Sequence, residues 1–307
     1  MKGAGVTTGN VVVAKMHEGE LDLDADLVRG LLAEQFPQWA RLSVERVPSS
    51  GTDNAVFRLG TGLAVRLPRV AGSAGQAEKE LEWLPRLAPD LPLALPVPLR
   101  LGRPGPGFPW TWAVYEWIEG ASARLEDMTD PCDDALRLAR FLRTLQGLDT
   151  TVKPAPGNRG RPLSVRDAEV RGAIAALRGD LDTAAATAAW EGALEAPVHP
   201  GPGVWIHGDL LPGNLLLGGG RLTAVIDWSC LGVADPACDL MPAWCLFAGE
   251  SRAAFRAGMQ VDEACWARGR GWALSVALIQ IPYYRHTNPE LVETALRTIS
   301  EVLAEGE

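Results

Sequence analysis

One stretch of this chain restricts its fold more than any other. Residues 205–228 read as β structure, although the sequence on both sides reads as helix. Three polar side chains, Asp209, Asn214 and Asp227, interrupt its apolar runs, and Gly218-Gly219-Gly220 divides it. Burying an unpaired carboxylate or amide costs roughly 1–3 kcal/mol, so each of the three needs a partner. Residues 215–217 and 222–226 flank the glycine turn and are expected to pair as a hairpin. Asn214 and Asp227 then meet at its open end and offer the hard oxygen donors that Mg²⁺ accepts. So few protein ligands leave coordination positions for water and for nucleotide phosphates. Asp209, on the loop just before, falls near the same point and is placed to accept a proton from a hydroxyl nucleophile. Two ligands and a base suit phosphoryl transfer, in which catalysis is mostly positioning and charge neutralisation.

The rest of the chain supplies a frame for this hairpin. Apolar spacing predicts a helix over 25–36, followed by short strands over 42–47, 55–59 and 63–67, the last two joined at Gly60-Thr61-Gly62. A helix over 75–87 comes next, with Pro85 near its last turn, then strands near 98–101 and over 111–118. Beyond Gly120 helices dominate, at 133–148, 166–177, 183–194 and from 236 onward, and 150–162 forms a surface loop. The expected class is α+β with two lobes. The smaller is an antiparallel β-rich N-terminal lobe, 1–118, that binds nucleotide and ends in a hinge. The larger is an α-helical C-terminal lobe, 119–307, that carries the catalytic loop and the acceptor site.

Composition narrows the function. In 307 residues, 47% hydrophobic and 22% charged side chains describe a folded chain large enough for two lobes. The net charge of −9 argues against a nucleic-acid partner, which needs clustered Lys and Arg, and is compatible with steering a polycationic substrate. The five cysteines form no C-x-x-C pair and the four histidines no H-x-x-x-H spacing, which argues against disulfide and zinc frameworks. The apolar run at 11–14 is too short for a signal peptide and no stretch approaches a membrane span, so a cytoplasmic location with no membrane partner is expected.

His207-Gly208-Asp209-Leu210-Leu211-Pro212-Gly213-Asn214, Ile226-Asp227-Trp228 and Asp235-Pro236-Ala237-Cys238-Asp239-Leu240 resemble the three hallmark segments of the aminoglycoside phosphotransferase family. The Asp-x-x-x-x-Asn spacing equals that of the protein-kinase catalytic loop, with Gly208 where protein kinases carry Arg. The resemblance extends over nearly the whole chain from about residue 20 and implies the protein-kinase-like bilobal fold. It also implies Asp209 as catalytic base or hydroxyl orienter, Asn214 and Asp227 as Mg²⁺ ligands, and His207 and Asp239 as braces of the loop. Asp235 reads as a helix N-cap before Pro236.

On the nucleotide side, residues 49–54 sit where kinases place the loop over the phosphates. With Gly51 as its one glycine, Ser50 and Asn54 would share the cradling with backbone amides. No Walker A sequence is present. Arg66 stands where the family carries a phosphate-binding Lys, with Glu80 as its expected partner and Glu78 as the runner-up. Glu116, Trp117 and Ile118 resemble the hinge that hydrogen-bonds the base of ATP or GTP through its backbone. For the acceptor, an aminoglycoside-like antibiotic, Asp180, Asp182, Glu250, Asp262, Glu263, Tyr283, Tyr284 and His286 are the candidates. A macrolide-type antibiotic kinase, a metabolic kinase for a choline-, homoserine- or sugar-like acceptor, and a nucleotide-binding pseudokinase scaffold remain as alternatives.

Overall fold

The structure, a computed structural model, describes residues 15, 17, 19–48, 51–155 and 157–305. Ser50 lies outside them. Helix α1 (Ala25–Gln35) starts where the Asp24 side chain accepts the Leu27 N–H, and it turns Val28, Leu31 and Leu32 inward. Strands β1 (Val44–Arg46), β2 (Asn54–Leu59) and β3 (Leu63–Pro68) follow. With β4 (Pro98–Gly102) and β5 (Trp112–Glu116) they form one antiparallel sheet in the order β1-β2-β3-β5-β4. Alternate residues Phe57, Leu59, Val65, Leu67, Trp112 and Val114 point from one sheet face onto α1 and make the core of the upper lobe. The opposite face carries Ala64, Ala113 and Tyr115.

Helix α2 (Gln76–Leu87) buries Gln76, Ala77, Glu80, Trp83, Leu84 and Leu87 along one side. It continues through Pro85 to Leu87, without the one backbone hydrogen bond that a proline cannot donate. Trp83, Leu84 and Leu87 join the core of the lower lobe, where Trp83 meets Trp205 with ring centroids 5.3 Å apart. One side of α2 is thus seated on the lower lobe even though its chain belongs to the upper.

After β5 the chain runs extended through 117–120 into β6 (Ala121–Ser122), and the lower lobe begins. Its helices are α3 (Pro131–Gln146), α4 (Asp167–Ala176), α5 (Thr183–Glu195), α6 (Pro242–Cys245), α7 (Gly249–Met259), α8 (Glu263–Tyr284) and α9 (Pro289–Ala304). α8 is its axis, with Trp272, Leu274, Val276 and Leu278 all buried. Trp190, Trp228 and Trp244 are fully enclosed as well. The β insertion contains β7 (Val204–Ile206), β8 (Leu215–Gly218), β9 (Arg221–Val225) and β10 (Gly232–Ala234). β8 and β9 pair as the expected hairpin, with β6 added at its edge, whereas β7 pairs with β10 in a separate ladder. The chain is an α+β protein of two lobes, with the hairpin at the cleft between them. All five cysteines are unpaired, and no helix among the described residues is long and apolar enough to cross a membrane.

Candidate active site

The hairpin register sets the geometry. Leu215 faces Val225, and the Ile226 N–H donates to the Asn214 carbonyl at 2.9 Å, so Asn214 and Asp227 leave the open end side by side. Asp227 takes a left-handed conformation (φ 60°), which swings its carboxylate out of the strand direction and into the cleft. Asp209, Asn214 and Asp227 line a single cavity of about 1150 Å³ between the lobes.

A structural bracket holds the loop that carries Asp209. The Asp239 carboxylate accepts the His207 N–H at 2.8 Å and the Gly208 N–H at 2.7 Å. Asp239 is fully enclosed, and burial pushes its carboxyl up to about 7 despite two N–H bonds that favour the ionised form. His207 is also enclosed. Its Nε2 lies 3.0 Å from the Ile226 carbonyl and its Nδ1 accepts the Asp209 N–H at 3.2 Å, an arrangement that fits the neutral ring with the proton on Nε2. Burial lowers its pKa accordingly. The ring stacks edge-on against Trp228 at 4.7 Å, so the histidine packs and ties rather than exchanging protons.

The donor set suits a hard divalent cation. The Asn214 Nδ2 is spent on the Asp209 backbone carbonyl at 2.7 Å and its Oδ2 at 3.3 Å, which leaves the Asn214 Oδ1 for a ligand. The Asp227 Oδ1 accepts from Gln76 Nε2 at 2.9 Å and from the Arg66 guanidinium at 3.4 Å, and Oδ2 carries no such bond from the described residues. One amide oxygen and one carboxylate oxygen therefore remain available in the same cleft.

Arg66 lies between two acids. One of its nitrogens contacts both Glu80 oxygens at 3.0 Å and the other reaches Asp227. Glu80 is completely buried and also accepts the Tyr115 hydroxyl at 2.7 Å, while Glu78 is exposed. Burial opposes the charge on Arg66, yet Glu80, Tyr115 and Asp227 together hold its pKa above the ordinary arginine value. Burial, then Glu80, pushes the Tyr115 phenol well up, so it stays a neutral donor.

Several members of the site carry no signal that sequence reading used. Gln76 accepts from Asn54 Nδ2 at 2.8 Å and donates to Glu80 and to Asp227. Asn54 therefore lines the cleft with one of its two amide N–H groups given to Gln76. Lys79 donates to the Ser229 carbonyl at 3.1 Å. Arg159, from the surface loop, pairs with Asp209 at 2.8 Å. Asp53 is a further carboxylate near this point. Burial, then Asp227 and Asp209, raises its pKa.

Gly51, Glu116, Trp117 and Ile118 line the cavity, as do Tyr283 and Tyr284. Asp180, Asp182, Glu250, Asp262, Glu263 and His286 do not. Four of these have structural employment instead. Asp182 caps α5, Asp262 caps α8, Asp180 pairs with Arg285 and Glu263 with Arg256. Apolar Leu211, Leu246, Val276 and Ile279 line the same cavity.

Comparison with known proteins agrees with this geometry. A sequence model of the phosphotransferase enzyme family matches residues 44–272. No curated protein matches the chain significantly. Among solved structures, the GDP complex of wild-type aminoglycoside 2'-phosphotransferase-IIIa is 18% identical, with 93% of this chain and 100% of that one covered at a TM-score of 0.72. Macrolide 2'-phosphotransferase type I is 18% identical over 92% of this chain and 96% of its own, at 0.60. The macrolide 2'-phosphotransferase MphH of Brachybacterium faecium is 21% identical over 90% and 97%, at 0.57. At such identities these likenesses speak for the fold.

Proposed function

We propose, from the premise that this chain belongs to the phosphotransferase enzyme family, that it transfers the γ-phosphoryl group of ATP or GTP to a hydroxyl of a small antibiotic, in the first instance an aminoglycoside. The observation that carries this reading is the convergence of Asp209, Asn214 and Asp227 on one cavity, with Arg66 braced against Glu80 beside them. In this reading residues 1–118 hold the nucleotide and 119–307 supply the catalytic loop and acceptor wall. Backbone groups of 116–118 receive the base, and Arg66 faces the phosphates with the donors that Glu80 leaves over. Asn214 Oδ1 and Asp227 would hold Mg²⁺, which, when bound, neutralises charge on the phosphates. Asp209 orients the acceptor hydroxyl in line with the γ-phosphorus and takes its proton at Oδ2. The similar structures crystallised with GDP, and in one case with kanamycin as well, support both halves of the reading.

A macrolide-type acceptor is the second reading. Tyr283, Tyr284 and four apolar side chains line the cavity and could meet an apolar macrocycle, although Glu126, Glu290 and Glu293 line it too.

The test is phosphate transfer measured across aminoglycosides, macrolides, choline, homoserine and simple sugars, each with ATP and with GTP. Turnover that appears only with one antibiotic class establishes the reading and selects its acceptor. Turnover with a metabolite instead moves the chain to a metabolic kinase. A wild type that binds nucleotide and transfers to nothing is a scaffold.

A further inference from the structure

Asp209 stands in a cleft with Asp53 and Asp227 as neighbours, and one cation is built against it. Arg159 donates from a terminal nitrogen to Asp209 Oδ1 at 2.8 Å, and the two side chains are only 19% and 20% exposed. No other carboxylate among the described residues forms an ion pair with Arg159. It also lies beside Cys230, whose thiol burial keeps protonated, and Asp209 is the carboxylate its guanidinium pairs with directly.

Arg159 also belongs to a fixed piece of chain. It lies in the connection between α3 and α4, whose next residue, Gly160, offers its carbonyl to the Asp235 N–H at 3.2 Å. Gly208 provides the room. It sits at φ 83°, and a side-chain carbon there would lie 3.0 Å from Arg159 Cβ and 2.9 Å from the Cys230 carbonyl. The glycine that precedes Asp209 thus opens the space through which an arginine 50 residues upstream reaches the carboxylate.

We infer that Arg159 is a positioning residue for phosphoryl transfer, fixing Asp209 by its Oδ1 so that Oδ2, which takes only a long 3.3 Å contact from Asn214 Nδ2, is the oxygen that faces the acceptor hydroxyl. This rests on the phosphotransferase reading above. The oxygen of the acceptor hydroxyl bonds to the γ-phosphorus as the bond to the β–γ bridging oxygen breaks, and the proton passes to Asp209 Oδ2. Held by Arg159 at Oδ1 and by Asn214 at Oδ2, the carboxylate has a single orientation in which to do this. Without the arginine only the long Asn214 contact remains, and the carboxylate can turn away from the acceptor.

The experiment places Arg159→Gln and Arg159→Lys in the wild-type and Asp209→Asn backgrounds. It follows MgATP and MgGTP turnover, with the acceptor selected from the panel and with water alone, alongside MgADP binding. Arg159→Gln is expected to lower kcat on the order of 10- to 100-fold, with MgADP affinity changed by less than about twofold. Arg159→Lys should recover part of the loss, and added guanidinium part of it in Arg159→Ala. In Asp209→Asn, Arg159→Gln should cost nothing further, because the residue acts through the base. Near-normal kcat in a folded Arg159→Gln protein overturns the inference, and so does an equal loss in both backgrounds. A variant that does not fold passes the decision to Arg159→Lys, whose kcat must then fall with nucleotide affinity intact. A wild type that transfers to no acceptor and none to water removes the phosphotransferase reading itself, and this inference with it.

Discussion

Gln76, at the first position of α2, donates a 2.9 Å hydrogen bond across the cleft to the Oδ1 of Asp227. The same side chain accepts from Asn54 and donates to Glu80, so one amide aligns a metal-binding candidate with the upper lobe. Groups that orient a metal ligand typically account for 10- to 100-fold in metal affinity. Gln76→Leu should therefore raise the Mg²⁺ concentration needed for half-maximal turnover by about tenfold. A Mg²⁺ titration at fixed nucleotide reads this directly, and an unchanged midpoint would remove Gln76 from the site.

Asp209→Asn keeps the shape of the base and removes its ability to take a proton. Turnover should fall by about 10²–10⁴-fold while MgADP binding stays nearly intact. Steady-state kinetics with an isothermal titration of nucleotide separates the two. Near-normal turnover in this variant would show that the base has been assigned wrongly.

Arg66 and Glu80 are expected to fail asymmetrically. Glu80 is fully buried, so Arg66→Ala leaves a carboxylate enclosed with only Tyr115 and Gln76 for company. Removing one partner of a buried pair typically destabilises by about 3–5 kcal/mol. Arg66→Ala should lose stability in that range by urea unfolding. The double variant Arg66→Met/Glu80→Leu should recover much of the stability yet bind nucleotide poorly.

Asp239 gives the fold a pH dependence that can be isolated. Its folded carboxyl stands at about 7 against an ordinary 3.8, so the folded state holds a proton that the unfolded chain has released. A raised acid contributes most below its unfolded value, and that contribution is lost as pH rises toward 7. The wild type should lose about 3 kcal/mol relative to Asp239→Asn between pH 5 and pH 8. Unfolding curves for both proteins across that range provide the check, and a constant difference would contradict it.

Much of the fold was legible because its signals are local. The 3.6-residue spacing of Trp83, Leu84 and Leu87 placed α2, and the glycine turn at 218–220 placed β8 against β9. Asn214 and Asp227 followed from that pairing alone. Glu80 was preferred to Glu78 as the partner of Arg66 by the same helical phase, and it is Glu80 that is buried. What stayed hidden depends on contacts between distant parts of the chain. Gln76 meets Asp227 across 151 positions and Arg159 meets Asp209 across 50, and nothing near either residue announces it. The separation of β7 and β10 from the hairpin was equally invisible, since an apolar run does not state which strand it will pair with. Asp182 and Asp262, nominated for the acceptor, cap α5 and α8, and in sequence a helix cap and a substrate ligand look alike.

The seating of α2 on both lobes has a mechanical consequence. Trp83 is packed against Trp205, Lys79 is tied to the Ser229 carbonyl and Gln76 to Asp227, all on one rigid rod. Kinases that are switched on and off commonly do so by swinging this rod outward and parting the arginine or lysine from its glutamate. Here that motion would tear an aromatic contact and two hydrogen bonds at once. Contacts of this kind oppose such a swing, so α2 is expected to travel with the lower lobe.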